Sequence, residues 1–123
     1  MVVAIRRLTP MATVASVPRS IEFYEQIGFT VGNTFTPSGA DDPAWAWLEC
    51  GDVHLMVTTH SDAISKGPHT VLFYLYVDDV KAMHAELEAK GMQVGAIITP
   101  FYSPGGEFEL IDPDGYVLMI THV

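Results

Sequence analysis

Cysteine is almost absent from the sequence. Cys50 is the single cysteine among 123 residues, so no disulfide can form within one chain. The chain also lacks any apolar run of the roughly 20 residues that a membrane-spanning helix requires. Arg6 and Arg7 follow a short apolar stretch, which is the reverse of the order in a secretory signal. We therefore expect a cytoplasmic protein, in agreement with a reducing compartment.

Positive charge is scarce as well. Six lysines and arginines stand against fifteen aspartates and glutamates, which gives a formal net charge of −9. Such a charge repels nucleic-acid phosphates and anionic lipids, and it attracts cations. We expect no nucleic-acid partner and no membrane partner.

Apolar residues are abundant, at 49% of the chain. This content excludes disorder, and the length is sufficient for one domain with a sizeable core. We expect a single domain over residues 1–123.

The sequence repeats itself at an offset of 63 residues, the separation of Leu55 from Leu118. The offset aligns Leu-Met-Val-Thr at 55–58 with Leu-Met-Ile-Thr at 118–121, and it also aligns segments nearer the start of each copy. One constant offset that relates separated segments indicates a duplication. We expect repeat one at about 6–60 and repeat two at about 70–122, joined by a polar connector at 61–68.

Each repeat begins with a strand and a helix. The strands are predicted at 5–14 and 70–77. Ser16 is the expected N-cap of the first helix, and Asp78 or Asp79 that of the second, because short polar side chains accept hydrogen bonds from the free N–H groups there.

Hairpins complete each repeat. Turn residues at 49–53 and 112–115 lie between runs of alternating apolar residues. Three strands are predicted after each helix, and the fold class is therefore α+β, with two βαβββ repeats. Asp112 and Asp114 are interpreted as turn residues, and Cys50 is expected to be buried and inert.

Alternation along the strands separates two faces of the sheet. One face is uniformly apolar and is expected to pack on the helices. The other mixes aromatic, acidic and sulfur-containing side chains, which suits a ligand cavity, although a dimer interface or a solvated face is the alternative. The expected ligand-binding residues are Trp45, Trp47, Glu49, His54, Met56, Tyr74, Tyr76, Glu107, Glu109 and Met119.

Loops are expected to border this face. The segment 34–43 is interpreted as a loop that acts as a lid, and the segment 101–106 as a second rim loop whose glycines allow close approach of a ligand or partner.

Three motifs extend across both repeats. They are Ser-Ile-Glu-Phe-Tyr-Glu-Gln-Ile-Gly-Phe at 20–29, Tyr-Val-Asp-Asp-Val at 76–80 with Leu-Glu-Ala-Lys-Gly at 87–91, and Glu-Phe-Glu-Leu-Ile-Asp-Pro-Asp-Gly-Tyr at 107–116. Together they resemble the vicinal oxygen chelate superfamily, which includes glyoxalase I, extradiol dioxygenases and bleomycin resistance proteins. The resemblance implies paired βαβββ modules whose mixed sheet curves into a cup with helices on its outer face, and it implies a homodimer.

The resemblance also implies that the superfamily's metal site is absent. Metal-dependent members carry His, Glu or Gln on the first and last strands of each module, and these positions hold Thr9, Met56, Leu72 and Met119 here. A neutral hydroxyl is a poor ligand, a thioether suits only soft metals and leucine cannot ligate. We expect no metal, no cofactor and no catalytic residue.

The motifs look most like the bleomycin-resistance-like branch, whose members sequester cationic, aromatic-bearing drugs. We expect a metal-independent protein that binds a cationic aromatic ligand. One alternative is an enzyme of the same superfamily, a lyase, isomerase or dioxygenase with an absent or non-standard metal site at His54 and neighbouring glutamates. Another is a ligand-free regulatory or interaction module.

Overall fold

A computed structural model describes residues 3–59 and 69–123, so the expected connector at 61–68 lies outside the described residues. The chain divides into two compact units, Met1–Ile64 and Ser65–Val123. Two helices and two mixed sheets, one of four strands and one of three, confirm the α+β class.

The first unit has the predicted βαβββ order. The elements are β1 (Met11–Thr13), α1 (Val17–Gln26), β2 (Thr30–Phe35), β3 (Trp45–Cys50) and β4 (Val53–Thr58). The sheet order is β1-β4-β3-β2, with β1 parallel to β4 and the other pairs antiparallel.

Helix α1 begins where the sequence predicts. Ser16 has an extended backbone, and its side chain accepts a hydrogen bond from the Arg19 N–H at 3.3 Å. The helix buries Val17, Ser20 and Tyr24, which recur at helical spacing and so form one face. Since α1 contacts β2, β3 and β4, this face packs on the sheet.

The second unit departs from the prediction by one strand. Its elements are β5 (Phe73–Val77), α2 (Val80–Ala89), β6 (Glu107–Ile111) and β7 (Val117–His122), in sheet order β5-β7-β6. Where the additional strand is predicted, the chain makes two isolated bridges to β6, Val94 to Leu110 and Ile98 to Glu107. Between these two bridges the chain advances four residues, from Val94 to Ile98, while β6 advances three, from Glu107 to Leu110. The extra residue interrupts the ladder of hydrogen bonds between the two segments.

The same irregularity occurs in the first unit. The register of β2 against β3 shifts between Val31 and Asn33, at Gly32. Gly95, which is 95 − 32 = 63 residues later, lies between the two bridges of the second unit. The parallel pairs are related by the same offset, since Met11 pairs with Met56 and Tyr74 with Met119. The duplication therefore extends to backbone register.

The first strand of each unit is shorter than predicted. β1 begins at Met11 rather than at residue 5, and β5 at Phe73 rather than at residue 70. Ile5 and Leu8 are 88% and 85% exposed. By the parallel register, the first residues of β4 and β7, Val53 and Val117, would face Leu8 and Leu72, so residues 5–7 and 70–71 have no strand to pair with.

The apolar face is buried as predicted. Its members alternate along the strands and include Ala46, Leu48, Leu55 and Val57 in the first unit, and Phe108, Leu110, Leu118 and Ile120 in the second. The prediction for Cys50 is wrong, because its side chain is exposed. Cys50 pairs with Val53 at the end of the hairpin, and Val53 is itself 52% exposed, so burial does not extend to this position.

Candidate ligand-binding surfaces

The first unit carries half of the predicted binding residues on the sheet face opposite α1, here called the first non-helix face (Trp45, Trp47, Glu49, His54 and Met56). The register of β3 and β4 pairs Trp47 with Met56 and Glu49 with His54. The rings of Trp47 and His54 lie 4.9 Å apart between centroids, tilted by 36°. All five side chains are partly exposed, so they present a continuous aromatic and acidic surface.

Gly32 leaves room for two of these side chains. A Cβ atom on Gly32 would lie 2.7 Å from Trp47 Cδ1, and it would also overlap Glu49 Oε1. Ordinary Cβ contacts do not occur at such separations. The side chains of Trp47 and Glu49 therefore lie directly against bare backbone at the β2 bulge.

The second non-helix face (Tyr74, Tyr76, Glu107, Glu109 and Met119) is opposite α2, which packs on β6 and β7. Met119 lies between Tyr74 and Glu109 in the register of the sheet. The rings of Tyr74 and Tyr76 are 6.4 Å apart, and both are substantially exposed. The sheet register thus gathers the second-unit members of the predicted set.

Glu107 differs from the other members because its side chain is only 1% exposed. The Thr121 hydroxyl donates a hydrogen bond to Glu107 Oε1 at 3.3 Å, and the Tyr102 hydroxyl donates to Oε2 at 3.5 Å. Ser103 Oγ lies 2.9 Å from Thr121 Oγ1. Within residues 3–59 and 69–123, no lysine, arginine or histidine forms an ion pair with Glu107. In the described part of the chain, hydroxyl groups alone hold the buried carboxylate.

A cavity of about 270 Å³ opens beside this carboxylate. Its walls include the side chains of Tyr74, Tyr76, Tyr102 and Thr121, together with the backbone around Gly105. The negative charge of Glu107 raises the pKa of the Tyr102 hydroxyl, because a phenolate there would be repelled. Burial and the neighbouring Tyr74 raise the pKa in the same direction.

Several residues of this cavity are missing from the set predicted by sequence, among them the three that supply hydroxyl groups near Glu107 (Tyr102, Ser103 and Thr121). Tyr102 and Ser103 belong to the rim loop that the sequence predicts at 101–106, where no individual side chain is predicted to bind the ligand. Thr121 lies two residues after Met119 on β7, so the alternation of side chains along a strand predicts that both residues lie on the same face of the sheet. Only the fold brings Tyr102 within reach of Glu107.

The predicted lid loop lines a different cavity. About 380 Å³ lies between the start of α1 and the segment 37–44, bordered by Ser16, Pro18, Pro37 and Asp42 among others. All of these residues belong to the first unit.

The four positions that correspond to metal ligands hold no charged or imidazole group. Met56 and Met119 are partly buried on β4 and β7, Thr9 is partly buried before β1, and Leu72 is 45% exposed before β5. No cluster of three or more His, Cys, Asp or Glu side chains suited to a metal occurs in the described part of the chain. None of the described helices has the length and apolar character to cross a membrane.

Comparison with protein families gives one match. The family described as the Glyoxalase/Bleomycin resistance protein/Dioxygenase superfamily matches residues 6–120. No curated protein matches the sequence.

Solved structures resemble the chain over almost its whole length. A bleomycin resistance determinant encoded on the transposon Tn5 has a TM-score of 0.76 and 21% identity, with 96% of this chain and 98% of that chain covered. The bleomycin-binding protein from Streptomyces verticillus, complexed with copper(II)-bleomycin, has a TM-score of 0.74 and 20% identity, with 99% of each chain covered. The antibiotic-binding protein TnmS3 from Streptomyces sp. CB03234 has a TM-score of 0.73 and 21% identity, with 98% of each covered. At these identities the likeness establishes a shared fold.

Proposed function

Because the chain belongs to the Glyoxalase/Bleomycin resistance protein/Dioxygenase superfamily, we propose that it binds a small cationic aromatic molecule without a metal and sequesters it unchanged. The observation that carries the proposal is that aromatic rings and carboxylates occur together on the non-helix face of each sheet. Further support comes from the shared fold, since two of the structures described above are named for bleomycin and the third for antibiotic binding.

The first non-helix face suits an aromatic cation. Trp47 is partly exposed and lies beside Glu49 over the bare backbone of Gly32. A cation over an indole ring gains about 0.5–2 kcal/mol, depending on how well water is excluded. The carboxylate adds attraction of the same sign, in a protein whose net charge is already −9.

Metal independence is supported by the donor set. Thioethers at Met56 and Met119, with Thr9 and Leu72, offer no carboxylate or imidazole to a divalent cation such as zinc, iron or manganese. Lewis-acid chemistry needs such a cation at the substrate. Binding without chemical conversion is the activity that this set of residues favours.

We also propose that the protein is a cytoplasmic homodimer. The location is supported by the single cysteine, Cys50. The dimer is supported by Val3, Ile5 and Leu8, which are 84%, 88% and 85% exposed. Exposed apolar patches on a protein surface often mark contacts with another protein. Light scattering after size exclusion should give a mass near twice 13.5 kDa, and a monomer at every concentration would contradict the dimer.

Tryptophan fluorescence tests the proposed binding. The chain has two tryptophans, and we expect bleomycin or the cationic dye 9-aminoacridine to quench them in the presence of EDTA. Trp47→Phe keeps an aromatic ring but weakens the cation–π contact, so affinity should fall about two- to fivefold. Absence of quenching by both compounds contradicts the proposal.

Metal analysis distinguishes the proposed binding protein from the alternative, an enzyme of the same superfamily. Protein purified without a chelator should contain no stoichiometric divalent ion. Stoichiometric zinc, iron or manganese would favour an enzyme of the superfamily over a binding protein.

A further inference from the structure

The cavity of the second unit combines features that recognise one type of chemical group. A carboxylate that is 1% exposed forms part of its wall, and this side chain has hydroxyl partners but no cationic partner among the described residues. A buried charge without a counter-ion is costly, so an incoming cation gains both Coulomb attraction and a hydrogen-bond acceptor. Glu107 is therefore a specific acceptor for a positively charged group.

Three tyrosines surround the entrance to this carboxylate. Tyr74, Tyr76 and Tyr102 line the cavity, and their rings are 46%, 65% and 61% exposed. Aromatic faces around a cation favour an ammonium group, above all an alkylated one whose charge is spread over methyl groups. A cage of tyrosine rings with a carboxylate inside it is complementary to an alkylammonium group.

The size of the cavity limits what it can hold. Pockets for drug-sized ligands usually measure about 300–1,000 Å³. At about 270 Å³, this cavity suits one substituent of a ligand rather than its aromatic body. Among the side chains that line the cavity, Glu107 supplies one carboxylate, beside neutral hydroxyl groups and the imidazole of His122, so these side chains do not offer the several charged oxygen ligands that bind hard metal ions.

We infer that this cavity is an alkylammonium subsite, in which the cationic group of the ligand replaces the Tyr102 hydroxyl as the partner of Glu107 Oε2. The inference rests on the proposed function, because it assigns the positive group of that ligand to one place. The contact to be replaced is weak, since the Tyr102 hydroxyl lies at 3.5 Å from Oε2. Thr121 keeps its hydrogen bond to Oε1 and holds the carboxylate in position.

The movement of Tyr102 is local. Its ring is mostly exposed, and the residue lies within a turn closed by the hydrogen bond from the Ser103 N–H to the Pro100 carbonyl at 2.9 Å. The next turn contains Gly106, whose φ of 96° is in the left-handed region that glycine adopts without strain. A rotation of the Tyr102 side chain exposes the carboxylate without disturbing β6.

A matched pair of small molecules tests the subsite. Choline and 3,3-dimethylbutan-1-ol have the same shape, and only choline is charged. In titrations followed by amide NMR, choline should shift signals at residues 102–107 and 119–122, and the neutral isostere should not. If both compounds shift these signals equally, or if choline shifts none of them, the inference is wrong.

Two glutamine variants distinguish binding at this subsite from the general attraction of a cation to an acidic protein. Glu107 is on the second non-helix face, whereas Glu88 is exposed on α2, at the other side of the sheet. Glu107→Gln should weaken choline binding at least about tenfold, because it removes a desolvated charge. Glu88→Gln makes the same change in net charge and should alter affinity less than about twofold. Equal effects of the two variants contradict the inference.

Tyr102→Phe tests the replacement step. It removes the competing hydroxyl and keeps the ring, so choline should bind at least as tightly as to the unaltered protein. A loss of more than about threefold would mean that the hydroxyl contributes to binding, which contradicts the replacement. Equal melting temperatures confirm that each variant is folded. If Glu107→Gln does not fold, the comparison of choline with 3,3-dimethylbutan-1-ol on the unaltered protein still tests the inference.

The experiments distinguish an error in the proposed subsite from an error in the proposed function. If 9-aminoacridine quenches tryptophan fluorescence but choline does not bind, the subsite is wrong and the function stands. If neither compound binds, both are wrong.

Discussion

Trp45 and Glu107 occupy equivalent positions in the two units. Each lies opposite a threonine of the last strand, Thr58 for Trp45 and Thr121 for Glu107. Trp45 is partly exposed, whereas Glu107 is buried and accepts a hydrogen bond from its threonine. After the duplication, one copy thus carries an aromatic ring and the other a carboxylate at the same point of the sheet.

Gly32→Ala should disturb the first non-helix face. The added Cβ would lie 2.7 Å from Trp47 Cδ1, so the indole ring and the Glu49 side chain have to move. We expect the free energy of unfolding to fall by about 1–3 kcal/mol and the tryptophan emission maximum to shift. Urea denaturation and fluorescence spectra measure both quantities.

Gly95→Ala is the matched control in the other unit. Its Cβ would meet Glu109 backbone atoms at 3.5 Å, which is an ordinary contact. Stability should stay within about 1 kcal/mol of the original, and the emission spectrum should not change. Equal effects at Gly32 and Gly95 would mean that the close approach of Trp47 is unimportant.

Asp112 should contribute to stability through the turn between β6 and β7. Its side chain is buried, and Oδ1 accepts hydrogen bonds from the N–H groups of Asp114 and Tyr116, both at 2.9 Å. Asp112→Ala leaves these donors without that acceptor and should cost about 1–3 kcal/mol. Asp112→Asn keeps an acceptor oxygen and should cost less. Chemical denaturation of the two variants decides, and identical losses would contradict the role of Oδ1.

The N-cap of α2 should be stronger than that of α1. Asp79 accepts from the Ala82 N–H at 2.9 Å, and Ser16 accepts from the Arg19 N–H at 3.3 Å. Asp79→Ala should lower the melting midpoint more than Ser16→Ala, with a cost of about 1 kcal/mol. Asp78→Ala, one residue earlier, should have little effect. A larger loss of stability in Asp78→Ala than in Asp79→Ala would show that Asp79 is not the N-cap of α2.

The hydroxyl of Tyr102 should titrate above the ordinary tyrosine range. The largest cause is the charge of Glu107, which disfavours the phenolate and so raises the pKa. In Glu107→Gln that charge is absent, and the pKa of Tyr102 should fall toward its usual value. Glu109→Gln serves as the control and should leave it raised. A ¹³C NMR titration of the tyrosine Cζ signals measures the pKa in all three proteins.

The repeat allowed much of the fold to be predicted from sequence. The offset between Leu55 and Leu118 predicted two βαβββ copies. Alternation predicted that Trp47 shares a face of the sheet with Met56, and Glu109 with Met119, and the register pairs them there. Both signals are local or periodic. They are therefore read directly from the order of the residues.

The errors arose where a distant partner decides the structure. The first strand is predicted from Ile5, but a strand forms only where its partner extends alongside it, and by the register of Met11 with Met56 residues 5–7 would lie before the start of β4. The segment at Gly95 has strand-like residues, yet an extra residue reduces its pairing to two bridges. Tyr102 reaches Glu107 only because a loop folds back over the sheet. Local patterns carry no information about these contacts.

Isothermal titration calorimetry with 9-aminoacridine and acridine, in EDTA, tests the central claim most directly. The two compounds share an aromatic frame, but only the first is a cation at neutral pH. We predict saturable binding of 9-aminoacridine and little or none of acridine, because the aromatic and acidic faces select for both properties at once. Equal binding of the two compounds, or binding of neither, would contradict the account.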